Sequence, residues 1–310
     1  ATGSRGCPLS NKLNMKCGFF AIVGRPNVGK STLLNSMIHE KVSIISRKPN
    51  TTRTSVLGVH TSGQHQVVFI DTPGWQKKPV RALDRYMNKF IDWSIEQVDC
   101  ILMISDARFW KNEDKMIVES IAFASKPKVL IINKVDLVRD KSKLLKYVEH
   151  LGDEGVLFDD YLFISAKKGQ YLDSLNNVLF SYCPDREFAY NHDTKTDKSE
   201  NFRICESIRE KLLMFLGDEL PYETCVVLEQ YTNAKKLAKI NAVIYVERES
   251  QRHIILGKKG TLIKQISIKA RKDLELLLGK KVYIRIWIKV VESWSNDTDK
   301  LKLLGLKTNQ

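Results

Sequence analysis

The run Phe19-Phe20-Ala21-Ile22-Val23-Gly24-Arg25-Pro26-Asn27-Val28-Gly29-Lys30-Ser31-Thr32-Leu33-Leu34 joins an apolar strand-like stretch to a glycine-bounded loop and then to a helical pattern. Gly24 to Ser31 fits G-x-x-x-x-G-K-[ST], in the strand–loop–helix context that the motif demands. Its glycines let backbone N–H groups turn inward onto phosphate oxygens, and the helix N-terminus adds a favourable dipole. Lys30 is placed to neutralise β- and γ-phosphates, and the Ser31 hydroxyl to hold Mg²⁺. The expected phosphate-binding set is therefore Gly24, Arg25, Pro26, Asn27, Val28, Gly29, Lys30, Ser31 and Thr32.

Working outward, further short apolar runs follow at Val67–Ile70, Ile101–Ile104, Val129–Ile132 and Leu162–Ile164. Nearly every residue in them is apolar, the mark of strands covered on both faces in a mostly parallel sheet between helix layers. Helical spacing separates them, as in Leu33-Leu34 with Met37-Ile38 and in Tyr171-Leu172 with Leu175 and Val178-Leu179. Val56–His60, the turn Thr61–Gln64 and Val67–Ile70 predict a hairpin that adds an antiparallel edge strand. The fold class expected for this half is α/β.

Three more loops stand at the ends of these runs, where open α/β sheets bind ligands. Asp71-Thr72-Pro73-Gly74 puts a carboxylate within reach of Mg²⁺, through a water, and a glycine N–H where a γ-phosphate can approach. Asn133-Lys134-Val135-Asp136 supplies a base reader. A carboxylate at Asp136 accepts together from guanine N1–H and the 2-amino group, but meets a lone pair on adenine, so guanine is selected by ~10⁴ or more. Ser165-Ala166-Lys167 ends the last run, with a backbone N–H available to the guanine O6.

Beyond a polar, mixed-charge stretch from Pro184 to Asn201, expected to be a linker, a second pattern begins. It predicts a helix over Ile204–Leu216, strands over Cys225–Gln230 and Ala242–Val246, a turn at Gly257-Lys258-Lys259-Gly260, a helix over Leu262–Leu278 and a strand over Val282–Val291. Between Ser250 and Val290 lie eleven Lys or Arg against Asp273 and Glu275, so most of the chain's net charge of +14 sits here. A G-x-x-G loop of this kind lets a sugar–phosphate backbone approach closely while lysines attract it. Gly257, Lys258, Lys259, Gly260 and Lys264 are the candidate RNA contacts. Tyr283, Trp287 and Trp294 could stack on bases, although alternation along a strand favours packing for them; His253 reads as structural.

Together these residues resemble the Era-like branch of the translation-factor-related GTPases, over essentially everything after Met15. The resemblance rests on Gly24–Thr32, Lys48–Thr54, Asp71–Gly74, Asn133–Asp136, Ile164–Ala166 and the C-terminal order of elements, which is similar to a type II KH domain. It implies a P-loop GTPase domain followed by a smaller α+β type II KH domain, with GTP or GDP and Mg²⁺ as ligands. It makes Thr52 the switch threonine that closes on Mg²⁺, with Thr51 the register alternative; the metal set is then Ser31, Thr52 and Asp71, and the catalytic set Lys30, Thr52, Gly74 and Asn27. Trp75 stands where Ras-type enzymes carry a water-positioning glutamine, so slow intrinsic hydrolysis is expected. No arginine finger is evident; Arg25 and Arg53 are near in sequence, and Asn27 either coordinates K⁺ beside the first switch or only stabilises the turn. The resemblance further implies binding near the 3′ end of small-subunit ribosomal RNA, a role in assembling that subunit, a monomer, a cytoplasmic location and peripheral association with the inner membrane.

The 43% hydrophobic content is ordinary for globular domains, and 50 basic against 36 acidic residues favours a polyanionic partner. Six cysteines without metal-site spacing read as reduced thiols. No apolar run approaches the ~18 residues of a membrane span, and the start lacks the apolar stretch of a signal peptide. The expected division is residues 1–14 as either a remnant foreign to the fold or a disordered segment, a G domain over 15–183, a linker over 184–202, a KH domain over 203–295 and a tail over 296–310.

Overall fold

The computed structural model describes residues 15–45, 56–71, 95–153, 157–217 and 220–292. Residues 1–14, Lys48–Thr54 with Thr51, Thr52 and Arg53, the stretch Thr72-Pro73-Gly74-Trp75, and Trp294 with the tail lie outside the described residues.

The first unit is a six-stranded sheet in the order β2-β3-β1-β4-β5-β6. Its strands are β1 (Lys16–Val23), β2 (Val56–Ser62), β3 (His65–Asp71), β4 (Cys100–Asp106), β5 (Lys128–Asn133) and β6 (Asp160–Phe163). All neighbours pair in parallel except β2 with β3, the expected hairpin. Its turn is tighter than the sequence suggests: Thr61 and Ser62 stay in β2, and Gly63-Gln64 make the reversal with Gly63 at φ 56.

Alternation along β1 explains the layers. Phe20 and Ile22 enter a core shared with α1 (Lys30–Ile38) and α4 (Leu172–Ser181). Ala21 and Val23 enter a second core on the other face, with α2 (Asn112–Ala122) and α3 (Ser142–Asp153). Burial on both faces is why these strands read as unbroken apolar runs.

The stretch from Pro184 expected to be a linker behaves differently. Its backbone runs along the sheet: Lys195 O accepts from Val59 N at 2.9 Å, and Asp197 Oδ1 from Leu57 N at 3.1 Å. Gln66, fully buried, donates to Tyr190 O at 2.8 Å and accepts from Tyr190 N at 3.0 Å. A buried amide needs such partners, and the edge strand gains cover for its N–H row. Glu200 and Asn201 already belong to the next helix, α5 (Glu200–Phe215), capped by Ser199 Oγ accepting from Phe202 N.

The second unit has a three-stranded sheet, β7 (Cys225–Asn233), β8 (Leu237–Val246) and β9 (Lys281–Val290), antiparallel between β7 and β8 and parallel between β8 and β9. The parallel step passes through α6 (Glu249–Leu256) and α7 (Thr261–Leu278), which pack with α5 on one face over Ala238, Ile240, Ala242 and Ile244. Strand β8 begins five residues before the expected Ala242 because Ala238–Asn241 pair with both neighbours and Leu237 pairs with Lys281 of β9. Tyr283 and Trp287 do not pack into this core. They alternate onto the opposite face and remain 45% and 42% exposed.

Candidate functional site

The phosphate loop closes around Lys30. Its Nζ donates to the carbonyls of Gly24 at 2.8 Å and Arg25 at 3.1 Å, and burial pushes its pKa down to about 8. Gly29 sits at φ 110, and a Cβ there would stand 2.3 Å from Asn133 Nδ2. Only glycine permits that approach. Asn27 adopts φ 65 at the exposed tip, and Pro26, Val28 and Thr32 complete the loop and the first helical turn. Arg25, weighed from sequence as a stabiliser of phosphoryl charge, is committed elsewhere. Its Nε donates to Asp114 Oδ2 at 2.8 Å and its guanidinium lies 5.1 Å over the Phe109 ring, anchoring the loop to α2. Burial raises the Asp114 carboxyl pKa even beside that cation.

Asn133 braces three loops at once. Nδ2 donates to Val28 O at 2.9 Å, while Oδ1 accepts from Lys134 N at 2.8 Å and Ala166 N at 3.0 Å. Lys134, at φ 69, sends Nζ back to Asn27 O at 2.6 Å and to Asp106 Oδ2 at 2.8 Å. Asp136 accepts at Oδ1 from Ser165 Oγ at 2.6 Å, which fixes the carboxylate plane. Lys167 is exposed beside it. The two loops Asn133-Lys134-Val135-Asp136 and Ser165-Ala166-Lys167 are thus brought together with the phosphate loop.

Ser31 Oγ donates to Asp71 Oδ2 at 2.9 Å, and Ser43 Oγ to the same oxygen at 3.0 Å. This is a cluster of hard oxygen donors at a helix N-terminus, the kind Mg²⁺ prefers, with few protein ligands and room for waters. The residues present fit that ion.

Sequence reasoning missed Ser43 and Asp106. Asp106, 1% exposed, also takes Arg108 in a two-pronged contact at 2.9 and 2.7 Å. Burial opposes its charge, but the hydrogen bonds from Arg108 and Lys134 hold its carboxyl well below the usual carboxylate range. Its signal was its position: a carboxylate closing the apolar run Cys100–Ser105, at the same sheet edge as the other loops.

Gly257-Lys258-Lys259-Gly260 forms a tight turn between α6 and α7. Gly257 takes φ 68 against the Leu262 Cβ, and Lys259 and Gly260 are left-handed at φ 53 and φ 73. Lys258, Lys259 and Lys264 are exposed, and no ion pair ties them among the described residues. His253 is exposed, its Nδ1 2.8 Å from Glu249 O.

The two units meet beside the nucleotide loops. Glu210 of α5 accepts from Lys41 Nζ at 2.6 Å, from Lys211 Nζ at 2.7 Å and, through its other oxygen, from Ile45 N at 3.2 Å. Asp273 of α7 pairs with Lys41 at 3.2 Å and Lys211 at 2.5 Å, while Arg203 pairs with Glu40. The chain just before the first-switch segment is therefore gripped by the C-terminal unit.

A phosphate loop, a guanine-reading loop and an oxygen cluster on one sheet edge, followed by a helix–turn–helix of G-x-x-G type on a small sheet, define a P-loop GTPase carrying a KH domain. Comparison with known proteins agrees. Residues 19–134 match the family of 50S ribosome-binding GTPases and residues 219–295 the KH domain family. GTPase Era of Yersinia enterocolitica (serotype O:8 / biotype 1B) is 42% identical over 290 residues, covering 93% of this chain and 95% of that protein, and GTPase Era of Yersinia pestis strain Pestoides F is equally similar. Among solved structures, Era bound to MgGDPNP and nucleotides 1506–1542 of 16S ribosomal RNA superposes with TM-score 0.88 at 36% identity, over 94% of this chain and 99% of that one. Aquifex aeolicus Era bound to GDP and AlF4⁻ gives TM-score 0.89, also at 36% identity and with the same coverage. The chain belongs to the Era family of GTPases.

Proposed function

We propose that this GTPase is a nucleotide-controlled RNA-binding switch that holds small-subunit ribosomal RNA near its 3′ end and assists assembly of the small ribosomal subunit. The observation that carries the nucleotide half is the Asn133 brace, which joins the base-reading and phosphate loops into one pocket edge. The RNA half is supported by the exposed lysines of the G-x-x-G turn and by the Era structure that contains 16S RNA.

In this reading Lys30 and the backbone of Gly24–Ser31 hold the phosphates of GTP or GDP. Ser31 and Asp71, with Thr52, hold Mg²⁺, which would neutralise charge on the β- and γ-phosphates. Asp136 reads the guanine edge, Ser165 orients Asp136, and a backbone N–H of the loop Ser165-Ala166-Lys167 meets O6. Gly74 N–H approaches the γ-phosphate. Turnover is slow because Trp75 has no acceptor with which to orient water. Asn27, exposed at the loop tip, holds K⁺ there in place of an arginine finger; with Arg25 drawn off to Asp114, that arginine does not compete for the role. The division proposed is a G domain over residues 15–183 and a KH domain over 203–295, with residues 184–199 as a strap on the G domain rather than a free linker. A cytoplasmic monomer with peripheral attachment to the inner membrane rests on the family resemblance and the basic charge; no described helix is long and apolar enough to cross a membrane.

The test is multiple-turnover GTP hydrolysis by the full chain together with filter binding to an RNA of the 3′-terminal small-subunit sequence. Turnover and specific retention of that RNA are expected. Retention no stronger than that of an unrelated RNA of equal length contradicts the RNA assignment.

A further inference from the structure

On the outer face of the C-terminal sheet Val243 is buried and Cys225 closes an apolar cluster with Val227, Tyr245 and Val291, while the side chains of β9 stand exposed. Along β9 the residues turned away from the helices are Tyr283, Arg285, Trp287 and Lys289, all exposed, while Ile284, Ile286 and Ile288 face the helices. Lys239 and Asn241 of β8 stand beside Tyr283 and Arg285 in register. The three strands carry four basic residues, Lys239, Lys281, Arg285 and Lys289, and one acidic residue, Glu229, which pairs with Lys289. Arg285 is held in place: its Nε donates to the Tyr283 hydroxyl at 2.7 Å and its guanidinium lies 5.3 Å over the Tyr283 ring.

We propose that this face is a second RNA-binding platform, separate from the G-x-x-G turn, on which bases of single-stranded RNA stack against Trp287 and Tyr283 while Arg285 and Lys239 meet the backbone. The inference rests on the RNA-binding reading above. Exposed aromatics on an open sheet are the means by which sheet-based RNA binders stack two or three bases, and stacking with flanking cations serves single strands of any sequence. Tyr283 and Trp287 are four residues apart on one face, about 13 Å along the strand, so they address separate bases. The net positive charge of the face selects a polyanion over a second copy of this basic chain. A G-x-x-G turn clamps about four nucleotides; an RNA that continues past it needs a further surface, and this sheet face belongs to the same domain.

The test uses the full chain and the RNA sequence corresponding to nucleotides 1506–1542, with three variants. Tyr283→Ala with Trp287→Ala removes the stacking platform; Lys239→Gln with Arg285→Gln removes its charge without touching apolar packing; Lys258→Asp with Lys259→Asp disables the G-x-x-G turn. Each sheet-face pair is expected to weaken RNA binding about tenfold or more, with GTP affinity unchanged, and Trp287→Phe is expected to restore binding. A photo-crosslinker in place of Trp287 should attach to the RNA. If only the G-x-x-G variant loses RNA, the platform is overturned and the RNA-binding reading stands; if no variant loses RNA, that reading fails as well. Crosslinking of position 287 to residues 293–310 or to a second copy, undisturbed by RNA, also overturns the proposal.

Discussion

Asp136 accepts a 2.6 Å hydrogen bond from the Ser165 hydroxyl, so the carboxylate proposed to read the base is oriented by the loop that follows β6. Asp136→Asn exchanges an acceptor for a group that can donate to a 2-oxo substituent. GTP affinity should fall toward the ~10⁴ asymmetry of a polar reader facing the wrong partner, while xanthosine triphosphate gains. Competition binding with the two nucleotides measures this; unchanged GTP preference contradicts it.

Lys30 gives a proton signature. Burial lowers its pKa to about 8 in the free protein, whereas a phosphate-bound lysine stays charged. GDP binding at pH 8.5 should therefore take up a large fraction of a proton, read by calorimetry as heats that depend on buffer ionisation, and affinity should fall as pH rises through about 8. The same shift acts on folding with a definite sign. The unfolded chain binds more protons here between pH 8 and 10.5, so this lysine's contribution to stability of the free protein rises with pH over that window. No proton uptake at pH 8.5 would show that Lys30 is already charged before the phosphates arrive.

Changing both Lys258 and Lys259 to Asp puts two negative charges on the exposed turn. RNA binding should drop at least a hundredfold, the parent's RNA affinity should fall steeply with salt, and GTP binding should stay near that of the parent because the two units have separate cores. Parent-like RNA affinity in this variant would remove the turn from the interface.

Potassium should accelerate turnover relative to sodium at equal ionic strength, and Asn27→Ala should abolish the difference. The left-handed backbone of Asn27 means that alanine also strains the loop by about 1 kcal/mol, so Asn27→Gly, which removes the side chain without that strain, should behave alike. Equal rates in the two salts for the parent protein rule out the cation role.

Much of the fold was legible in the sequence, because the loops proposed to read phosphate and base sit on backbone that the apolar runs fix. The strand Phe19–Val23 had to be followed by its loop, and Asn133–Asp136 had to end β5. Contacts that depend on distant chain were not legible. Nothing near Arg25 in sequence announces Asp114, and nothing near Lys134 announces Asp106; both pairs exist only because β1, β4 and β5 bring their ends together. The stretch after Pro184 looked like a tether because its hydrogen bonds go to Gln66 and Val59, over a hundred residues away. Tyr283 and Trp287 were misplaced for another reason. Period-two alternation says that two faces differ, and only the position of the helices says which face is covered.

Control of the RNA grip by the nucleotide needs a contact that transmits it, and that contact is Glu210, which holds Lys41 and the Ile45 N–H ahead of the proposed first switch. The direct measurement is RNA affinity of the full chain saturated with a non-hydrolysable GTP analogue or with GDP, for the parent and for Glu210→Gln. Binding at least tenfold tighter with the GTP analogue is expected in the parent, about 1.4 kcal/mol of coupling, and a smaller ratio in the variant. Equal affinity in the two nucleotide states of the parent would contradict it.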